Sequence, residues 1–338
     1  MSCRRVIPPY LSRSMMGAMR LAIVLLTPWL LAAQSAPQVQ KIWDGAPHNA
    51  FTDLIRYEGR LFCVFREAAV HGVSPDGKIR VLRSRDGGEW TSVALLESGR
   101  GDLRDPHLSI TPQGELMLVA AIALNPGAGH RHQTYAFFSR DGAKWSEPVP
   151  IGDPDYWLWR VAWHRGKAYA VGYPTNPAGG AARLYHSEDG RKFRALVAEM
   201  PVPDAPNETA FAWLPDDTML ILARRGGGAK TAALLTARPP YTEWKVEDLG
   251  QQLGGPALVR LPNGRLLAAG RIHPEGGTRT ALLWLDREGK QFREIVVLPS
   301  KGDSSYPGLV WEKGELLVSY YSSHEGKSSI YFARVGLK

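Results

Sequence analysis

Two side chains, Tyr306 and Glu208, are the candidate centre of covalent catalysis in this chain. Tyr306 follows Ser304 and Ser305 and precedes a Pro-Gly pair and a short apolar run. A phenol is a weak nucleophile until a base takes its proton, and a carboxylate such as that of Glu208 can be this base. The pair predicts nucleophilic catalysis, provided that the fold brings the two side chains together.

Arginines recur at related places in the sequence and indicate an anionic ligand. The planar guanidinium fork grips a carboxylate or phosphate bidentately, and several cations that converge on one point repel each other unless an anion joins them. The candidate binding residues are Arg66, Arg104, Arg224 and Arg271, with His48 and Asp105. The alternative is that some of these arginines form internal ion pairs with neighbouring acids, namely Glu67, Asp105 and Glu208.

A repeated turn sequence identifies the elements that must position these residues. "SRDGGEW" at residues 84–90 returns as "SRDGAKW" at 139–145 and "SEDGRKF" at 187–193, with weaker echoes that end at Trp244 and Phe292. The aromatic ends lie 55, 48, 51 and 48 residues apart, and a period near 50 predicts a repeat architecture. We interpret the turns as structural: Asp caps the turn, Gly takes a positive φ and the aromatic packs between units.

Each repeat also contains two apolar runs joined by a tight turn. These short runs alternate without amphipathic helical periods, which predicts an all-β fold. The turns fall at Gly59, Gly114, Gly166, Asp217, Gly264 and Gly314. Six such units of about four strands predict a six-bladed β-propeller. The last unit is one strand short, and residues 38–43 are predicted to supply the outer strand that closes the ring.

A propeller places the starts of its innermost strands around one axis, next to the ends of the second strands. Counted from the hairpin turns, Glu208 and Tyr306 fall at such starts, and Arg66, Arg224 and Arg271 fall at such ends. The predicted ring therefore gathers the candidate nucleophile, its base and several arginines at one mouth.

The N-terminal segment has the composition of a secretory signal. Residues 1–35 hold four Arg, no acidic residue and an apolar run at 21–33, which predicts a cleaved signal, a mature domain at 36–338 and a secreted or periplasmic location. A membrane anchor is the alternative. Removal of this segment lowers the net charge from +8 to about +4, so the basic charge argues little for nucleic acid, and no nucleic-acid partner is expected. We expect a monomer with no membrane span after cleavage and with Cys63 buried.

The repeated turns resemble the Asp boxes of the sialidase (neuraminidase) superfamily, whose fold is a six-bladed propeller. "NETAFAWLPDDTMLILARR" resembles that family's glutamate and arginine segment, and "SSYPGLVWEKGELLVSYY" resembles the segment of its tyrosine nucleophile. By the same resemblance, "IHPEGGTRTALLWLD" implies that Arg279 binds the substrate carboxylate, and "FREAAVHGVSPDGKIR" implies that Asp76 is the acid/base. "HNAF" at residues 48–51 stands where the family has its first arginine.

The resemblance implies an exported glycoside hydrolase of exo-sialidase type that cleaves terminal acidic sugars from glycans. Two alternatives remain open at this point. In a uronate-specific polysaccharide lyase, arginines would neutralise the uronate carboxylate while Tyr306 or a histidine removes the α-proton. A non-catalytic glycan-binding propeller would stack sugars on Tyr156, Trp157 and Trp159. The sequence has no motif for a metal, nucleotide or other cofactor, and none is predicted.

Overall fold

The computed structural model describes Met1 and residues 36–175, 180–228 and 230–337. The predicted signal therefore lies, apart from Met1, outside the described residues. Residues 36–337 contain β-strands and turns, and within the described ranges no helix is long and apolar enough to span a membrane.

The first three blades follow one another along the chain. Blade one contains β2 (His48–Tyr57), β3 (Arg60–Ala68), β4 (Lys78–Ser84) and β5 (Thr91–Leu96). Blade two contains β6 (Gly101–Ile110), β7 (Leu116–Leu124), β8 (His132–Ser139) and β9 (Val149–Ile151). Blade three contains β10 (Tyr156–His164), β11 (Lys167–Pro174), β12 (Arg183–Ser187) and β13 (Arg194–Val197).

The other three blades repeat this arrangement. Blade four contains β14 (Pro206–Trp213), β15 (Met219–Arg225), β16 (Ala233–Ala237) and β17 (Lys245–Asp248). Blade five contains β18 (Gly254–Arg260), β19 (Leu266–Ile272), β20 (Arg279–Asp286) and β21 (Gln291–Val297). Blade six contains β22 (Ser304–Glu312), β23 (Glu315–Ser322) and β24 (Ser329–Gly336), with β1 (Gln38–Trp43) as its outer strand.

The ring is closed by the N-terminal strand, as the sequence predicts. β1 pairs antiparallel with β24, from Gln38 opposite Arg334 to Trp43 opposite Ile330. The first hairpin of every blade turns at the predicted position, where the turn residue has a φ between +64° and +86°. The six-bladed propeller predicted from the repeats is therefore confirmed, and apolar clusters between neighbouring blades form its core.

The repeated turns join neighbouring blades. In the second of them, the amides of Ala143 and Lys144 each donate to Asp141 Oδ1 at 2.8 Å, and Trp145 packs into the cluster between blades one and two. A Cβ atom at Gly142, which has a φ of +70°, would lie 2.1 Å from the Phe62 ring. Only glycine fits this approach, which supports the structural interpretation of the turns.

A bulge interrupts the innermost strand of every blade near its start. The pairing shifts register in β2, β6, β10, β14, β18 and β22. At the bulge, Phe51, Asp105, Gly255 and Tyr306 have φ values of +62°, +50°, +56° and +51°. A bulge redirects side chains and ends regular pairing, and a positive φ at a non-glycine residue is costly. These bulges place several of the candidate residues at the mouth.

Candidate functional site

The structure brings Tyr306 and Glu208 together. Glu208 Oε1 accepts hydrogen bonds from the Tyr306 hydroxyl and, at 2.6 Å, from Arg224 Nη1. Its other oxygen, Oε2, accepts one from the Gly255 amide at 2.6 Å. Glu208 is only 5% exposed, so these three donors replace the water that the carboxylate gives up. The geometry is that of a base aligned on a phenol.

The protonation of Tyr306 agrees with this arrangement. Burial, with the negative charge of Glu208, raises the pKa of Tyr306 well above its ordinary value. The phenol therefore keeps its proton in the resting protein and donates it to the carboxylate. A nucleophile of this kind becomes active only when the proton moves to the base as the new bond forms.

Aromatic neighbours hold the Tyr306 ring in place. The rings of Phe51, Trp159 and Tyr321 have centroids 5.0, 5.4 and 5.9 Å from that of Tyr306. The Tyr306 carbonyl accepts a hydrogen bond from Thr52 Oγ1 at 2.7 Å. A Cβ atom at Gly255 would lie 2.8 Å from the Tyr306 ring, so the close approach of blades five and six requires glycine there.

Two of the predicted arginines, Arg224 and Arg271, lie beside this pair. They occupy equivalent places near the ends of the second strands of blades four and five. Arg271 lies 5.6 Å from the Tyr306 ring centroid and donates from Nε to the Ser304 carbonyl and from Nη2 to the Tyr321 hydroxyl. Within the described residues, Arg224 Nη2 and Arg271 Nη1 have no hydrogen-bond partner, which leaves donors for an anionic ligand.

Arg66 has a different environment from the predicted one. Its side chain is 0% exposed, and its Nε and Nη2 donate to the two oxygens of Asp102 at 2.8 Å each. The carbonyls of Val70 and Gly72 accept the remaining bonds at 2.9 and 3.0 Å. Since the whole fork is used inside the protein, Arg66 cannot grip a ligand. The alternative of an internal ion pair applies, with Asp102 rather than Glu67 as the partner.

The Arg66–Asp102 pair gives a stability prediction. We expect Asp102→Ala to lower the free energy of unfolding by about 3–5 kcal/mol, because Arg66 would remain buried without a counter-charge. Glu97→Ala is the matched control: it removes the exposed ion pair with Lys78 and should cost less than about 1 kcal/mol. Denaturant unfolding measures both values. Equal costs for the two variants would contradict the prediction.

Arg104 and Arg279 are also not in contact with the Tyr306–Glu208 pair. Arg104 donates to Asp102 Oδ2 and to the His71 carbonyl, each at 3.1 Å, and lies 5.3 Å from the Phe51 ring centroid. It therefore borders the mouth. Arg279 lies on the third strand of blade five, and its Nη1 donates to the adjacent Thr278 carbonyl at 2.9 Å. The predicted carboxylate contact of Arg279 is not supported by this position.

The contacts of Asp76 do not fit the acid/base role that the resemblance implies. Its carboxylate is exposed and accepts hydrogen bonds from Ser74 Oγ and, at 3.0 Å, from the Ala69 amide. The bond from Ser74 is the main reason that the pKa of Asp76 is lowered. A general acid must instead hold its proton near neutral pH.

Asp105, unlike Asp76, has a raised pKa. It is 7% exposed, and Oδ1 has no hydrogen-bond partner among the described residues. Burial raises the pKa of Asp105 to about 6, and the charge of Glu208 adds to the shift although Arg104 opposes it. The sequence predicts that Asp105 binds substrate. The raised pKa could not be predicted from the sequence, because it depends on burial and on charges contributed by other blades.

His48 belongs to a group of side chains beside Tyr321, and the two ring centroids lie 6.4 Å apart. Its Nε2 lies 2.8 Å from Asp303 Oδ2, and His71 Nδ1 lies 2.7 Å from the same oxygen. Tyr321 donates to Asp303 Oδ1 at 2.8 Å. His48 is a candidate from the sequence, whereas His71 and Asp303 lie in loops without a recognisable motif and could not be found in this way.

The aromatic residues of blade three form a wall of the mouth rather than an open platform. Tyr156, Trp157 and Trp159 are 8%, 8% and 2% exposed. Trp157 and Trp159 pack with Ala121, and Trp157 stacks on Tyr173 at 6.1 Å. Sugar stacking on these three residues, which the glycan-binding alternative requires, is not supported by this burial.

Comparison with protein-family models and with curated proteins gives no match. Solved structures do match. A protein of unknown function from Dyadobacter fermentans has a TM-score of 0.76 and 21% identity, over 89% of this chain and 99% of that one. The α-L-arabinanase of Penicillium chrysogenum has a TM-score of 0.66 and 16% identity, over 85% and 93%. The sialidase of Trypanosoma rangeli has a TM-score of 0.66 and 13% identity, over 86% of this chain and 55% of the sialidase. The TM-scores establish a shared fold.

Proposed function

We propose that this chain is a propeller glycosidase of exo-sialidase type that removes terminal acidic sugars from glycans. The observation that carries the proposal is the hydrogen bond from the Tyr306 hydroxyl to Glu208 Oε1, beside Arg224 and Arg271. Glycosidases that use a Tyr nucleophile are the sialidases. The likeness in fold to a sialidase and an arabinanase supports glycoside hydrolysis as the reaction class.

The choice of a phenol as nucleophile fits an acidic sugar. A substrate carboxylate next to the anomeric carbon would repel a carboxylate nucleophile, whereas a phenol approaches without charge and passes its proton to Glu208. The unpaired donors of Arg224 and Arg271 are available to hold the substrate carboxylate. In this proposal, the arginines of blades four and five bind the substrate carboxylate.

The reaction then proceeds in two displacements. In the first, Tyr306 Oη bonds to the anomeric carbon, the bond to the leaving oxygen breaks, Glu208 takes the phenolic proton and Asp105 protonates the leaving oxygen. In the second, a water oxygen attacks the anomeric carbon and gives a proton to Asp105, while Tyr306 leaves and regains its proton from Glu208. Both carboxyl groups return to their starting states, and the anomeric configuration is retained.

The predicted N-terminal secretory signal suggests where the protein acts. An exported chain would meet glycans outside the cytoplasm, and we propose that it acts there as a monomer. Its partner in this proposal is the acidic glycan substrate, without a cofactor.

Fluorogenic glycosides test the proposed reaction. We expect the chain to release fluorophore from a methylumbelliferyl sialoside faster than from the corresponding glucuronide or arabinofuranoside. Glu208→Gln should lower the rate by at least about 100-fold, because the phenol loses its base. Glu97→Gln, an exposed exchange in blade one, is the control and should retain the activity.

Other outcomes identify the alternatives. Near-ultraviolet absorbance from an unsaturated uronate, formed from a polyuronate without hydrolysis, would replace the hydrolase with a lyase. Calorimetric binding of a sialylated oligosaccharide without turnover would indicate a binding protein. Faster cleavage of the arabinofuranoside would contradict the acidic-sugar specificity.

A further inference from the structure

Three potential metal ligands meet beside Tyr321 and Phe51. His48 is the first residue of β2, His71 lies in the loop after β3, and Asp303 directly precedes β22. His48 Nε2, His71 Nδ1 and a carboxylate oxygen of Asp303 lie within 4.8 Å of one another. Asp303 Oδ2 is 2.8 Å from the first nitrogen and 2.7 Å from the second.

We propose that these three side chains form a binding site for a divalent transition-metal ion, with Zn²⁺ as the ion that it takes. Two imidazole nitrogens and one carboxylate oxygen are a donor set that zinc prefers, and three protein ligands leave a further coordination position open. The inference does not depend on the proposed glycosidase activity.

The geometry needs only a small adjustment to admit the ion. With ligand distances near 2.0–2.2 Å, tetrahedral donors lie roughly 3.3 Å apart. The two nitrogen–oxygen distances must therefore open by about half an ångström. The side chain of His71 is 54% exposed and projects from a loop, so it can make this movement, whereas His48 is enclosed in blade one.

His48 presents Nε2 to Asp303, and this is the nitrogen that would bind the ion. His48 is 8% exposed, and its Nδ1 has no hydrogen-bond partner in the described part of the chain, so no described contact opposes a ring proton at Nδ1. Without an ion, Nε2–H donates to Asp303 Oδ2. A bound metal ion would replace that hydrogen bond, with the ring proton on Nδ1 and the Nε2 lone pair on the ion.

Asp303 is held as a ligand by contacts on its other side. Its Oδ1 accepts the hydrogen bond from Tyr321, and Arg271 Nη2 lies 3.7 Å away. These contacts orient the Asp303 carboxylate and leave Oδ2 directed at the two imidazoles.

Titration of the full chain with zinc chloride, followed by calorimetry, tests the site. We expect one ion per chain in the wild type and at least about tenfold weaker binding in His71→Ala. Because His71 is exposed, the His71→Ala variant should fold. His48→Gln removes a second ligand and should weaken zinc binding independently. Cobalt(II) should give the visible absorption of a low-coordinate ion in the wild type only.

The control variants separate this site from other histidines and from the proposed reaction. His273→Ala removes an exposed histidine outside the cluster and should bind zinc like the wild type. Tyr306→Phe should also bind zinc normally, whatever its effect on turnover. Absence of zinc binding in the wild type, or equal affinity in the wild type and His71→Ala, would overturn the proposal and leave a histidine–carboxylate hydrogen-bond cluster.

Discussion

Tyr306→Phe is expected to lower kcat for a fluorogenic sialoside by about three orders of magnitude or more, as the loss of a nucleophile does in other covalent enzymes. The change removes one oxygen atom and keeps the ring that packs on Phe51, Trp159 and Tyr321. The fold should therefore be retained. Initial rates, with a thermal melt of each variant, measure the two effects separately.

Tyr320→Phe is the matched control for this substitution. Tyr320 is the residue before Tyr321, is fully buried and donates its hydroxyl to the Pro299 carbonyl at 2.9 Å, away from Glu208. Its loss should cost stability of about 1 kcal/mol and leave kcat unchanged. If Tyr306→Phe keeps activity within tenfold of the wild type, Tyr306 is not the nucleophile.

Asp105→Asn is expected to have an effect that depends on the leaving group. An alkoxide leaving group needs the proton of Asp105, so hydrolysis of a sialylated disaccharide should fall by about 10²- to 10⁴-fold. An aryl leaving group departs with little need for protonation. The first step with a methylumbelliferyl substrate should therefore slow much less. Comparison of the two substrates, with product release followed by chromatography, measures the difference.

The pH profile gives a second readout for the same residue. The acid form of Asp105 is needed, and its pKa is raised to about 6 by burial. In the wild type, kcat/KM for the disaccharide should therefore fall as the pH rises through about 6, and Asp105→Asn should lack this fall. Asp76→Asn is the control, since its pKa is lowered by Ser74. Loss of the basic limb in Asp76→Asn alone would assign the acid to Asp76.

The repeat pattern in the sequence was sufficient to predict the propeller, because its signals are local and periodic. The turns at Gly59, Gly142 and Gly314 need a positive φ that the residue type itself reveals. The short last unit and the strand-like residues 38–43 together predicted the closure by β1. The same counting placed Glu208 and Tyr306 on inner strands, where the structure joins them.

Only the tertiary structure decided which charged groups form ion pairs and hydrogen bonds with one another. Asp102, rather than the adjacent Glu67, neutralises Arg66, and the burial of Asp105 raises its pKa. Asp303 meets His71 across 232 residues of sequence. Such pairings depend on the bulges, on loop paths and on desolvation, which have no periodic sequence signal. Local sequence signals therefore determined the propeller fold. Packing between blades determined which charged side chains form pairs and which carboxyl group has a raised pKa.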